Sequence, residues 1–149
     1  MLHLTKITTD NWRLVANLSV HNSQETFIEP NSISLLEAAF DQQLNWLPLA
    51  IYDDEQVIGF TMLGAFNQAD QSIWLDRFMI DQHFQGQGYG KKAFSLILNF
   101  IKSNWEVKTV ILSAHEENKE IFAFYESFGF INTHQFDEVF HEIIMVLSL

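Results

Sequence analysis

The sequence predicts a mixed α/β layer fold, and three observations lead there. Segments with a two-residue apolar alternation are interspersed with segments of helical spacing, in the order β-α-α-β-β-β-α-β-α-β-β. The 149-residue chain is 48% hydrophobic, with 14 Phe and 4 Trp, enough to fill one core. It holds only 2 Pro and 6 Gly, so no linker divides it and residues 1–149 read as a single domain.

The elements follow in order. Leu2 to Ile7 alternates as a first strand. Asp10 is placed to cap a helix through Val20, with Trp12, Val15, Ala16 and Ser19 along one face. Residues 21–31 are polar and interrupted by Pro30. Ser34-Leu35-Leu36-Glu37 reads as a capping box, opening a short helix to about Gln43. Trp46–Tyr52 and Gln56–Ala65 flank an Asp-Asp-Glu turn as a hairpin, and Ile73–Ile80 is a further strand. Gly88–Ser103 is the clearest helix, its apolar face formed by Ala93, Leu96, Ile97, Phe100 and Ile101. Val107–Ser113 is rich in β-branched residues and reads as a strand. Asn118–Phe128 is a helix closed by Gly129. Phe130–Phe136 and Val139–Leu147 form a second hairpin.

Charge and composition narrow the function. Eight Lys+Arg against 19 Asp+Glu give a formal charge of −11, which argues against nucleic-acid or anionic-membrane partners and suits a cationic one. Solubility alone is the plainer account of the same charge. The chain has no Cys, so disulfides, thiolate metal sites and a cysteine nucleophile are excluded. The six His show no metal-ligand spacing, and no metal is expected. No stretch is long and apolar enough for a membrane span or an export signal, so a cytoplasmic location is expected.

The chemistry concentrates in residues 78–92, Phe-Met-Ile-Asp-Gln-His-Phe-Gln-Gly-Gln-Gly-Tyr-Gly-Lys-Lys. A strand runs into a glycine-rich turn that opens a helix, offering free N–H groups and the positive end of the helix dipole to an anion such as a pyrophosphate. Lys91 and Lys92 are unusual in a first helical turn. A bound polyphosphate accounts for them, and so does simple solvation. The P-loop pattern fails: Gln85 stands at its first glycine, and Lys92 follows Lys91 where Ser or Thr is needed. The dinucleotide pattern fails because Lys91 stands at its last glycine.

Gln85-x-x-Gly88-x-Gly90 matches a different pattern, Q/R-x-x-G-x-G/A, and here the chain resembles the GNAT superfamily of N-acetyltransferases. A second element, Asn118 followed by Phe124-Tyr125-Glu126-Ser127-Phe128-Gly129-Phe130, resembles that family's N-x6-Y-x3-G-F helix. Ile121 departs from the Ala of many relatives. The resemblance spans the whole chain and implies the GNAT fold, a mixed central sheet of about seven strands flanked by about four helices. It implies acetyl-CoA as cosubstrate, with the main chain of Gln85, Gly86, Gln87, Gly88, Tyr89 and Gly90, together with Lys91, at the pyrophosphate. Backbone groups of Phe78 and Ile80 would pair with the pantetheine as an added strand, with Met79 between them also among the cofactor-binding residues, and Asn118 would contact the pantetheine arm. Tyr125 would protonate the departing thiolate, a reasonable exchange for a phenol of pKa about 10. A plain helix start, a simple N-cap and core packing are the alternative roles of the glycines, Asn118 and Tyr125.

Within the superfamily the chain is most similar to bacterial spermine/spermidine acetyltransferases. The residues that carry this are Phe27-Ile28-Glu29, Trp74-Leu75-Asp76-Arg77-Phe78, Gly88 to Lys92 and Tyr125 to Phe130. The implied reaction is direct acetyl transfer to a primary amine, most simply a polycationic polyamine. Glu25, Glu29 and Glu37 would hold its distal charges, and Asp76 would bind the amine or lead its proton to water. Each carboxylate has a solvated surface as its alternative setting. The reacting amine must be neutral, which at pH 7 costs about 4.6 kcal/mol for a group of pKa about 10.4. A carboxylate beside it would raise that cost, so the acids are expected mainly around distal amines. Another amine (an amino acid, an aminoglycoside or a protein N-terminus) is the nearest alternative substrate. A non-catalytic acyl-CoA-binding regulatory module is the alternative of a different class. Many members of the superfamily are dimers, so a homodimer is compatible with the resemblance.

Overall fold

The computed structural model describes all residues, Met1–Leu149. Seven strands and four α-helices follow the expected order: β1 (Leu2–Lys6), α1 (Trp12–Ala16), α2 (Asn31–Phe40), β2 (Leu47–Asp53), β3 (Gln56–Asn67), β4 (Ser72–Ile80), α3 (Tyr89–Asn104), β5 (Thr109–Ala114), α4 (Lys119–Glu126), β6 (Ile131–Phe136) and β7 (Ile143–Ser148). They build one sheet in the order β1-β2-β3-β4-β5-β7-β6. Every neighbouring pair is antiparallel except β4 and β5. No helix is long and apolar enough to cross a membrane.

Two apolar clusters hold the sheet between layers. The larger includes Phe94, Ile97 and Ile101 of α3, Tyr125 of α4, and Ile73, Leu75, Val110 and Leu112 of the central strands. The smaller gathers Val15 of α1 with Ala50, Phe60, Met62 and Met79. Phe94 and Leu98 are buried on α3, whereas Leu96 and Phe100 are only partly covered, so the core stripe sits slightly round from the expected face.

The early helices differ most from expectation. α1 is a single short turn: Asn11, not Asp10, stands at its start, and Val20 lies beyond its end. Asn11 is buried because its side chain accepts from the Thr8 N–H at 2.8 Å and donates to the Lys6 carbonyl at 3.0 Å. α2 starts earlier than the capping-box reading, after Pro30, and Ser34 lies inside it. The Ser34 hydroxyl is buried without a partner, and Glu37 is drawn to an arginine instead of the helix start. Proline fixes the φ that a helix needs on entry, which outweighs the Ser-x-x-Glu signal.

Two departures from regular pairing create the site. β4 and β5 pair only over Ser72–Trp74 and Thr109–Ile111, then part, although β4 continues to Ile80 and β5 to Ala114. Beside the gap, Met62 opposes Arg77 and Leu63 opposes Leu75, leaving Asp76 as the extra residue of a β-bulge. Adjacent strand residues normally face opposite sides of a sheet; the bulge lets Asp76 and Arg77 meet. The buried Thr61 hydroxyl donates to the Arg77 carbonyl at 2.7 Å and so satisfies the interrupted ladder.

Candidate active site

The gap between β4 and β5 opens into a cleft of about 910 Å³. Its walls come from β4, β5, the start of α4, residues 24–30 and the β6–β7 connection. It brings together Glu25, Glu29, Asp76, Phe78, Met79, Ile80, Gln85, Gly86, Gly90, Asn118 and Tyr125. Gln87, Gly88, Tyr89, Lys91 and Glu37 lie outside its lining.

Gln85 and Gly86 of the lining belong to the loop that leads into α3, and Gly90 to the first turn of that helix. Gly86 and Gly88 have φ of +75° and +83°, a left-handed backbone that side chains disfavour, and a Cβ at either would meet open space. None of the turn and cap hydrogen bonds is donated by the main-chain N–H groups of residues 85–90. These unpaired donors at a helix start suit a polyphosphate. The Gln85 side chain braces the loop, donating to the Ile80 carbonyl at 2.8 Å and to Gln24 Oε1 at 2.9 Å. That carbonyl, expected to pair with a strand-like ligand, is therefore already engaged. Below the loop, buried Asp81 accepts from the N–H groups of Ser19 and His83 and faces the His83 ring at 2.7 Å. Burial alone would raise Asp81, but these donors outweigh it and hold the carboxyl below its ordinary range. Tyr89 turns away, and its hydroxyl donates to Asp53 Oδ2 at 2.8 Å.

Tyr125 lines the cleft and is only 6% exposed. Phe94, Phe124 and Phe130 pack around its ring, with centroids 5.4–5.8 Å away. Burial, and secondarily the charge of Glu142, raises its phenol above the ordinary value, so it keeps its proton. Asn118 stands at the start of α4 but its side chain makes no capping bond, leaving the amide free on the cleft wall.

The cleft lining is acidic. Glu25, Glu29, Asp76, Glu120, Asp137 and Glu142 line the cleft, with Arg77 as the one Lys or Arg. Arg77 is mostly buried and engages Asp76 at 2.7 Å, Glu29 at 3.2 Å and Glu37 at 3.6 Å. Its Nε is buried without a partner. Burial lifts Glu37, Asp76 and Glu142 above the usual carboxylate range, with Arg77 pulling each back. Three of the four carboxylates expected to bind a substrate cation, Glu29, Glu37 and Asp76, are thus engaged by a cation of the protein itself. Arg77 was noticed in the sequence only as part of a motif, and Asp137 and Glu142 went unnoticed. An arginine next to an aspartate in the middle of an apolar strand was the available signal. No group of three or more His, Cys, Asp or Glu is arranged to hold a metal ion.

Comparison with known proteins shows the family and the fold. The model of the acetyltransferase (GNAT) family matches residues 12–130. A probable spermine N(1)-acetyltransferase of Bacillus subtilis subsp. natto is 31% identical over 134 residues, 87% of each chain. A spermine/spermidine N(1)-acetyltransferase of Bacillus subtilis is 30% identical over the same length, again 87% of each. Among solved structures, spermidine N-acetyltransferase from Vibrio cholerae in complex with CoA and spermine superposes with a TM-score of 0.79 at 18% identity, covering 99% of this chain and 95% of the other. A dodecameric structure of the Vibrio cholerae enzyme has a TM-score of 0.75 at 18% identity, covering 99% and 93%.

Proposed function

The chain belongs to the acetyltransferase (GNAT) family, and from that premise we propose that it moves the acetyl group of acetyl-CoA onto a primary amine of a polyamine. One observation carries the reading. A single cleft is lined by a loop with unpaired main-chain donors, by six carboxylates and by a tyrosine that keeps its proton. The relatives named for spermine and spermidine support the same substrate class.

The residues present fit the cosubstrate. The N–H groups of residues 85–90 would hold the pyrophosphate, and the parted edge of β4 at Phe78 and Met79, with the free amide of Asn118, would hold the pantetheine. Acetyl-CoA supplies the activated acetyl group. Tyr125 is held by its aromatic neighbours and retains a proton for the departing sulfur. The lining carboxylates other than Glu142 hold the ammonium groups that do not react, with Glu25, Glu120 and Asp137 unengaged by Arg77. Asp76 keeps Arg77 in place and contributes to that field. Crowded acids favour the charged form of any amine among them. The amine that reacts must therefore lie towards Tyr125, away from the densest negative charge. Self-association belongs to the same reading, supported by the dodecamer formed by the Vibrio cholerae neighbour and by the exposed Leu36 and Phe40 of α2.

The test is to mix the protein with acetyl-CoA and a panel of amines and follow free CoA with a thiol reagent, to which a chain without Cys gives no background. Release driven best by spermine or spermidine is expected. Release driven best by an amino acid or aminoglycoside keeps the reaction and discards the polyamine. CoA binding without release on any amine discards the catalytic reading.

A further inference from the structure

An ammonium group must lose a proton before its nitrogen can attack, and Asp76, His115 and Glu142 of the cleft lining are candidates to take it. Asp76 is committed to the Arg77 guanidinium, which holds its Oδ2 at 2.7 Å, so that oxygen is occupied by a cation of the protein. His115 is turned so that Nδ1 accepts the Glu117 N–H at 3.2 Å. The proton of the neutral ring then sits on Nε2, leaving no lone pair for the cleft. Glu142, at the threshold of β7, differs from both. No cation binds its carboxylate; Oε1 accepts the Ser113 hydroxyl at 3.0 Å, and Oε2 has no partner. Its main chain is fixed too, because its carbonyl accepts the Asp137 N–H at 2.8 Å. Glu142 lines the cleft with Tyr125 and lies near enough for its charge to act on the phenol.

We propose that Glu142 is the general base that deprotonates the attacking amine, with Ser113 as its positioning residue. The assignment rests on the acetyl-transfer reading above. One ammonium proton passes to Glu142. The nitrogen lone pair then forms the C–N bond as the C–S bond breaks, and the sulfur takes the Tyr125 proton. The second nitrogen proton restores the phenol, and Glu142 releases its own to water, so each cycle yields one proton. The charged and titratable groups facing Glu142 are Asp76 and Arg77 of β4, Tyr125 of α4 and Asp137 of the β6–β7 connection. Burial of Glu142 raises its carboxyl, and the Ser113 bond opposes the rise. Activity therefore needs the deprotonated form and increases with pH through an acidic limb set above the ordinary carboxylate range.

The experiment compares kcat/KM against pH for the wild type, Glu142→Gln and Ser113→Ala, alongside CoA affinity by calorimetry and the Glu142 carboxyl titration by 13C NMR. Glu142→Gln is expected to bind CoA normally, to lose about 10²-fold or more in kcat, and to lose the acidic limb. Ser113→Ala is expected to move both the limb and the carboxyl titration to higher pH. A Glu142→Gln variant with kcat within a few-fold of wild type and the limb intact overturns the assignment. So does a Ser113→Ala variant in which the NMR titration moves and the limb does not. A wild type that turns over no amine overturns the acetyl-transfer reading and this assignment together, whereas the first two outcomes leave that reading standing.

Discussion

Tyr125 and Arg77 occupy one cleft but respond to substitution for different reasons. Tyr125→Phe keeps the ring that Phe94 and Phe130 pack against and removes only the hydroxyl, which no group of the fold bonds. Its expected effect is a fall in kcat of about 10²-fold, the lower end of what a positioned acid contributes. CoA affinity should stay within a few-fold, which separates a chemical role from packing. Arg77→Met removes a mostly buried cation from among Asp76, Glu29 and Glu37. A lost partner in a fully buried ion pair costs about 3–5 kcal/mol, and the partly exposed carboxylates here reduce that to about 2–3 kcal/mol. Urea unfolding measures it. The loss should be smallest at low pH. Glu37 and Asp76 already have raised pKa values, and without Arg77 they rise further. The folded state of the variant then binds more protons than the unfolded chain, so its stability declines as pH rises from the ordinary carboxylate range through the raised values.

Among the elements, the loop from β4 into α3 is held by different contacts from those that shape its ligand end. Asp81 and Gln85 anchor it from below through Ser19, Gln24 and Ile80. Gly86 and Gly88 set the path above, and their left-handed φ is a local requirement. Gly88→Ala has open space for its Cβ, so no clash is introduced, but the φ of +83° is strained by about 1–2 kcal/mol. Relaxation of that strain would redirect the N–H groups of the loop. Calorimetry should show CoA binding weakened roughly tenfold, in line with about 1.4 kcal/mol, while spermine affinity measured without CoA is unchanged. Equal weakening of both ligands would mean that the loop supports the whole cleft.

Across the whole molecule, the net charge of −11 is unevenly useful, because six carboxylates converge on one cleft whose single Lys or Arg is already engaged. A field of that sign attracts polycations and is screened by salt. Raising ionic strength from about 0.05 M to about 0.5 M shortens the Debye length from roughly 14 Å to roughly 4 Å. The KM for tetracationic spermine should rise several-fold more than that for putrescine, with kcat little altered. A parallel rise for both amines would place the substrate away from these carboxylates.

The element order, the helix opening at Gly88 and the helix carrying Tyr125 were all legible in the sequence, because periodicity, glycine and capping residues act over a few neighbouring positions. The same local logic failed at α1 and α2, where Asn11 and Pro30 set the starts through contacts and φ restrictions that Asp10 and Ser34 seemed equally able to supply. The loop motif was legible because its chemistry lies in consecutive backbone groups. The acidic lining as a whole was not, because it is assembled from β4, α4, the residues before α2 and the β6–β7 connection. A one-residue bulge at Asp76 turns Arg77 towards its carboxylates, and strand pairing sets Ser113 beside Glu142. Those encounters depend on register, and register is decided only when the sheet is built.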